Sequence, residues 1–247
     1  MASALVSTIT GEVVLRLEDE AMTMTVTVPV GPTAMIDLLP LVNAASGAIV
    51  ERATARAVAA GRTISCRAGC GACCRQPVPL APAEARALAA FVAALPEPAQ
   101  AEVRSRFAAG QAAFVAANVP VRGDRIFGAD LPEMRTRVAA YMAAYVACPF
   151  LVDESCSIHP HRPTACREYL VTSPAENCRS PTPETIARVE LPGSVSTAMA
   201  HADRDLEGVR RVLLIDSLDW VATHPEPAPV RTGPELIQHV FAQLQKA

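Results

Sequence analysis

Cys66-Arg-Ala-Gly-Cys70-Gly-Ala-Cys73-Cys74 gathers four of the chain's eight cysteines into nine residues. The spacing is C-x3-C-x2-C-C, with Gly69 and Gly71 on either side of Cys70. Thiolates are soft ligands that select zinc, copper(I) or iron–sulfur iron. A loop that wraps an ion needs tight turns and close backbone approach, and glycine permits both. Backbone N–H groups in such a loop can also donate to sulfur and tune a cluster's potential. Arg67 and Arg75 flank the run and can offset its negative charge. The side chains of adjacent Cys73 and Cys74 diverge, so one is expected to face a first site and the other the second half of the chain's cysteines. Two plainer readings compete: buried small hydrophobes, or a disulfide pair. Four thiols this close, with two glycines among them, favour metal.

The other four cysteines, Cys148, Cys156, Cys166 and Cys178, form a second group that is expected to meet the first in space. Its core reads Cys148-Pro-Phe-Leu-Val-Asp-Glu-Ser-Cys156-Ser-Ile-His159-Pro-His161-Arg162-Pro163-Thr-Ala-Cys166-Arg167-Glu168-Tyr169. A proline after cysteine ends helix and stiffens a ligand loop. His159 and His161 are possible ligands, since imidazole suits zinc and iron; the plainer reading is a solvated pair in a proline-rich loop. Arg162 and Arg167 are expected to orient the loop through carbonyls or carboxylates, or to bind an anionic substrate. Tyr169 reads as a core anchor with a bonded hydroxyl. Trp220 reads as core, and His201, His224 and His239 as surface residues.

The periodicities around these groups predict an α+β, mainly α chain. Residues 11–30 alternate strictly: Val13, Leu15 and Leu17, then Met22, Met24, Val26, Val28 and Val30 after an acidic turn. That is an antiparallel hairpin with one buried face, and Ile186–Leu191 is a candidate third strand. Residues 33–60 carry a helical pattern that Pro40 should kink or split and Gly61 should stop. Further helices are expected over 82–94, from the Pro96-Glu97-Pro98 break to about 118, from Pro132 to near Ala147, over 195–223 with a break, and over 234–245. Residues 119–131 read as loop. Residues 148–183 read as irregular, with a short hairpin turning at Asp153-Glu154. A single α-rich domain, 1–247, is expected, with the cysteine core at 62–95 and 146–180 and C-terminal helices at 195–247.

Composition narrows the functional classes. The chain has 247 residues, 51% hydrophobic, with a net charge of −3. That gives no sign of a nucleic-acid or anionic-membrane surface, and neither partner is expected. Aromatics are 4%, so the core is expected to rest on Leu, Val, Ile and Met. The start has no basic n-region, and no apolar run reaches the roughly 18–20 residues of a membrane span. A cytoplasmic setting is expected, where clustered thiols stay reduced and serve as ligands.

These motifs resemble the YkgJ-type cysteine-cluster family, the CxxCxxCC proteins described as zinc- or iron-chelating. The matching pieces are Cys66 to Arg75, Cys148-Pro-Phe-Leu, and Cys156 to Tyr169. The resemblance implies metal or iron–sulfur binding by these cysteines without an assigned reaction. Many family members carry tyrosine at the position of His159, which weakens it as a ligand. A related cluster in flagellin lysine methylases suggests a remote SAM-dependent alternative, but no Gly-x-Gly-x-x-Gly run follows a strand here. The Cys66-x3-Cys70-x2-Cys73 spacing also matches the radical-SAM signature, although Ala72 stands where that family favours an aromatic.

The expected cofactor is an iron–sulfur cluster, [4Fe–4S], with a redox or related enzymatic role; the alternative is zinc in a structural or partner-binding module. Cys66, Cys70, Cys73 and Cys166 are the foremost expected ligands, then Cys148, Cys156 and Cys178, with Cys74 either at a second site or packed behind the ligands. No nucleophile–base pair stands out, and the partner, protein or small molecule, is not specified by the sequence.

Overall fold

The computed structural model describes residues 7–17, 20–127, 130–208 and 211–245. The fold is α+β and mainly α. Strands β1 (Thr8–Leu17) and β2 (Glu20–Pro29) form an antiparallel hairpin with Val13 opposite Met24 and Leu15 opposite Met22. The two-residue period sorts the side chains: Leu15, Leu17, Met22, Val26 and Val28 are buried, while Val14 is exposed. The acidic turn at Glu18 and Asp19 lies outside the described residues.

Helix α1 (Met35–Ala59) runs through Pro40 as one helix, against the expected split. Pro40 sits in the second turn, where its missing N–H removes one bond near the helix start rather than dividing the ladder. Gly61, at φ 75°, ends the helix, with Arg62 N–H donating to the Ala57 carbonyl at 3.0 Å. Then follow β3 (Pro79–Leu80), α2 (Pro82–Ala93), α3 (Glu97–Ala116), α4 (Gly123–Phe127) and α5 (Leu131–Ala143). Helix α4 lies where loop was expected. It packs so closely that a Cβ on Gly123 would overlap the Arg211 carbonyl. Helix α5 stops short of Ala147, and Tyr145 turns the chain at φ 52°.

Beyond it come β4 (Leu151–Val152) and β5 (Ser155–Cys156), a hairpin turning at Asp153 and Glu154, both with positive φ. Helix α6 (Thr164–Glu168), α7 (Val195–Glu207), β6 (Val212–Leu213), α8 (Ser217–Thr223) and α9 (Gly233–Leu244) complete the order, with short 3-10 turns at His159–His161, Ala175–Arg179 and Leu214–Asp216. Among the described residues no helix is long and apolar enough to cross a membrane.

Two large apolar clusters form. The first joins the hairpin to α1, α7 and α9 through Leu15, Val28, Val42, Ile49, Met199 and Phe241. The second lies around α2, α3 and α8, where β3 pairs antiparallel with β6. The expectation of a core of Leu, Val, Ile and Met describes the first cluster. The few aromatics are concentrated in the second: Phe107 meets Phe150 edge-on at 5.6 Å, and Trp220 is buried. His224 stacks on Trp220 at 4.5 Å, and it, His201 and His239 are all half-buried rather than surface residues.

Ile186–Leu191 does not join the N-terminal hairpin, which stands as a two-stranded sheet. Helices already cover that sheet's apolar face. The segment instead crosses the chain just after α6: Thr172 N–H donates to the Ala187 carbonyl at 2.8 Å and Val189 N–H to Leu170 at 2.9 Å.

Candidate metal centre

Residues 65–78 form a chain of tight turns between α1 and β3. Cys70 N–H bonds to Arg67, Cys74 to Gly71 and Gln76 to Cys73, each through a carbonyl 3.0–3.2 Å away. The two glycines serve different ends. Gly69, at φ 78°, takes the left-handed conformation. Gly71 lets the loop touch the β4–β5 hairpin: a Cβ there would lie 2.6 Å from the Glu154 carbonyl oxygen. Beside that contact Cys148 N–H donates to the Cys74 carbonyl at 2.7 Å. The two cysteine groups, far apart in sequence, are therefore adjacent in space.

All eight thiols are free. Cys66, Cys70, Cys73 and Cys178 pack around Ala72 and Val171, while Cys148 and Cys156 lean on the aromatic cluster. Cys166 interacts electrostatically with Cys148, Cys73 and Cys156. Cys73 is the common member. It shares its field with Cys66, Cys148, Cys156, Cys166 and Cys178, and, against the expected divergence of the two neighbours, its thiol hydrogen-bonds that of Cys74. The sulfurs thus fall into two sets that meet at Cys73-Cys74.

Backbone N–H groups point at sulfur in both sets. Val171 donates to Cys66 Sγ at 3.4 Å. Phe150 donates to Cys148 and Ile158 to Cys156, in each case from two residues further on. The Tyr169 hydroxyl, as expected, is bonded: it lies within reach of the Cys178 thiol and accepts from Gln76 Nε2 at 3.3 Å. Burial pushes the Cys148 thiol up to about 12 and the Cys178 thiol to about 11. Cys73 rises mainly through its bond with Cys74, and Cys166 through burial. Such thiols hold their protons until a cation displaces them, since a coordinating thiol is deprotonated outright. Among the described residues no three His, Cys, Asp or Glu side chains stand ready-placed around a metal ion, so closing on one requires the thiols to turn. Clustered soft donors with N–H groups on their sulfurs fit a thiophilic metal.

Cys166 is carried by α6, and two buried carboxylates fix that short helix. Glu84 accepts from Thr164 N–H at 2.7 Å and from Ala81 N–H at 3.1 Å. Glu168 sits at the N-terminus of α7. It accepts from Val195 N–H (2.7 Å), Ser196 N–H and Oγ (3.3 and 2.6 Å), Ser194 Oγ (3.0 Å), and Ser46 Oγ of α1 (3.3 Å). An anion there is favoured by the helix dipole. Sequence reading missed both roles. A Glu two residues after a cysteine in a polar stretch carries no local mark of burial.

The nearby charges meet expectation in part: Arg75 does feel the Cys74 thiol, though Glu154 is its main partner. Arg67 is exposed, and Arg75 is committed to a two-pronged pair with Glu154 (2.5 and 3.1 Å) across the Tyr145 ring. Arg167 orients the loop as expected, donating to the Arg162 and Pro160 carbonyls at 2.7 and 2.5 Å. Arg162 does not: its Nε is buried without a hydrogen-bond partner. His159 is exposed, and His161 packs on Phe91 with ring centroids 4.8 Å apart.

A cavity of about 1130 Å3 opens against Cys73 and Cys166. Met134, Val138 and Met142 of α5 and Phe127 of α4 form apolar parts of its wall.

Residues 65–183 match the family model CxxCxxCC, described as "Putative zinc- or iron-chelating domain". No curated protein and no solved structure matches the chain.

Proposed function

We propose, from a chain whose residues 65–183 form a CxxCxxCC domain, that its thiols bind an iron–sulfur cluster, [4Fe–4S], with a redox or related enzymatic role. Cys66, Cys70, Cys73 and Cys166 are the foremost ligands, with Cys148, Cys156 and Cys178 next and Cys74 turned to a second site. The observation that carries this reading is the gathering of free thiols from both cysteine groups around Cys73, with N–H donors on three of the sulfurs. That is more sulfur than one zinc site takes, and the donors suit a sulfur-rich cluster. The cavity against Cys73 and Cys166 supports an accessible centre, open to a substrate or redox partner. When bound, the cluster supplies electron transfer. The chain's own residues hold the thiols in place, the N–H groups of Val171, Phe150 and Ile158 orient three of the sulfurs, and Gln76 fixes Tyr169 beside Cys178.

The division of the sulfurs into two sets favours a second reading, two zinc ions each held by four thiolates. Metal and acid-labile sulfide analysis of anaerobically purified protein separates the two. About four iron with matching sulfide and broad absorbance near roughly 400 nm is the expected result. One or two zinc without sulfide would replace the cluster by a zinc module.

A further inference from the structure

Arg162 lies in the second cysteine segment, four residues before Cys166, and near thiols of both groups. Its positive charge acts on Cys66 and Cys73 from the first group and on Cys156 and Cys166 from the second. The other cations near the thiols have separate engagements. Arg75 and Arg179 both pair with Glu154, Arg167 caps carbonyls, and Arg106 acts on Cys148 while pairing with Glu102 at 3.1 Å. Arg162 has no ion-pair partner among the described residues, and its Nε–H is buried and unpartnered. A buried donor left without an acceptor is costly, so its place requires a compensating contact.

We propose that Arg162 is a positioning residue of the metal centre: its charge offsets the thiolates of both sets, and its Nε–H donates to a ligand sulfur once metal is bound. The inference deepens the metal-binding reading and rests on it, and it holds for iron or zinc alike. Four thiolates around a dication leave a net negative centre in a part-buried place. A fixed guanidinium beside them opposes their mutual repulsion and gives a hydrogen bond of the charge-assisted kind. The backbone holds it there. Pro163 follows it, and its own carbonyl is fastened by Arg167 at 2.7 Å.

The test uses the full reduced chain under anaerobic conditions. Zinc(II) affinity is measured by competition with a chromophoric chelator, and cobalt(II) uptake through the thiolate charge-transfer band. Arg162→Met is expected to weaken zinc binding about 10–100-fold, the usual span for a residue that supports metal ligands. Arg162→Lys keeps the charge without the planar N–H and should recover part of that loss. Arg162→Gln keeps an N–H without the charge and should fall below Arg162→Lys. Arg204→Met, which removes a part-exposed cation of α7 paired with Asp205, should stay within about twofold of the parent.

If Arg162→Met binds as tightly as the parent, the role is overturned. It is also overturned if Arg162→Met lowers only the melting temperature of the metal-free chain, or if Arg204→Met is equally harmful. Should Arg162→Met fail to fold, the Lys and Gln variants decide: equal affinity in both refutes the proposal. A parent chain that takes up neither metal refutes the underlying metal-binding reading as well, so the two failures are distinct.

Discussion

The cluster around the N-terminal hairpin and the cysteine region are ordered by opposite means. In the first, Leu15, Val42, Ile49 and Val240 are fully enclosed by regular elements, and removal of apolar surface from water does the work. In the second, the first cysteine loop rests on a small buried nucleus of Ala72, Val171 and Cys178, and the second group borrows its apolar burial from the neighbouring aromatic cluster through Phe150 and Ile158. Order there comes from a left-handed Gly69, the Gly71 contact, N–H groups on sulfur, and charged groups such as Arg75, Glu154 and Glu168. A region with so little apolar burial depends on each polar group being satisfied and on what its thiols hold. The hairpin region depends on neither.

Metal removal should break the comparison most widely. Structural zinc in small domains contributes roughly 10–16 kcal/mol of binding free energy, and a cluster acts in the same sense. A strong chelator should therefore speed amide exchange at 66–74 and 148–178 by orders of magnitude while leaving β1, β2 and α1 protected, as read by hydrogen-exchange mass spectrometry. Equal loss in both regions would show that they fold as one cooperative unit.

Glu168→Ala comes next, because this carboxylate ties α6 to α1 and α7. It leaves the donors of Ser46, Val195 and Ser196 without their acceptor and should cost about 3–5 kcal/mol in urea unfolding. Glu168→Gln should retain part of this.

Asp203 tests the dry side. Burial raises its carboxyl to about 7, opposed by the Ala83 N–H and Arg86 and reinforced by Glu207 and Glu84. The folded chain then keeps the proton between about pH 3.8 and 7 while the unfolded chain loses it, so stability falls as pH rises through that window. Asp203→Asn cannot ionise. Its stability profile should be flatter, with a relative gain of at most about 4 kcal/mol above pH 7, read from urea midpoints across pH.

Gly71→Ala should cost about 1–3 kcal/mol, because the new methyl pushes the first cysteine loop off the Glu154 carbonyl. Metal uptake should fall with it. Arg75→Gln should have the smallest effect, under about 1 kcal/mol and reduced further by salt, since Glu154 is 45% exposed.

These contrasts also explain what was legible in the sequence. The hairpin and the long helices announce themselves through periods of two and 3.6, because burial on one face writes a repeating pattern. The adjacency of the two cysteine groups was readable from thiol chemistry, and the separate uses of Gly69 and Gly71 from what glycine permits. Partner choice was not readable. Ile186–Leu191 alternates like a strand, yet it crosses Leu170–Thr172 rather than the hairpin, and local pattern does not name a neighbour. Helix α4 is five residues long, too short to show a period. Arg75 looked like the cation for the thiols because it is next to Cys74. Arg162 acts on Cys156 and Cys166 of its own segment and on Cys66 and Cys73 from across the chain, and only the fold discloses the second pair.

The bond from Cys148 N–H to the Cys74 carbonyl joins positions 74 residues apart. The entropy of closing so long a loop grows only slowly with its length, so distance in sequence is a small thermodynamic burden. In time it weighs more. A chain made at about 5–20 residues per second presents Cys66, Cys70, Cys73 and Cys74 roughly 4–15 s before Cys148 follows. During that interval four reduced thiols stand without their partners, open to any soft cation or oxidant. The order of synthesis therefore makes the second cysteine group the timer of the site: metal delivered before it emerges meets half a binding site, and metal delivered afterwards meets the whole.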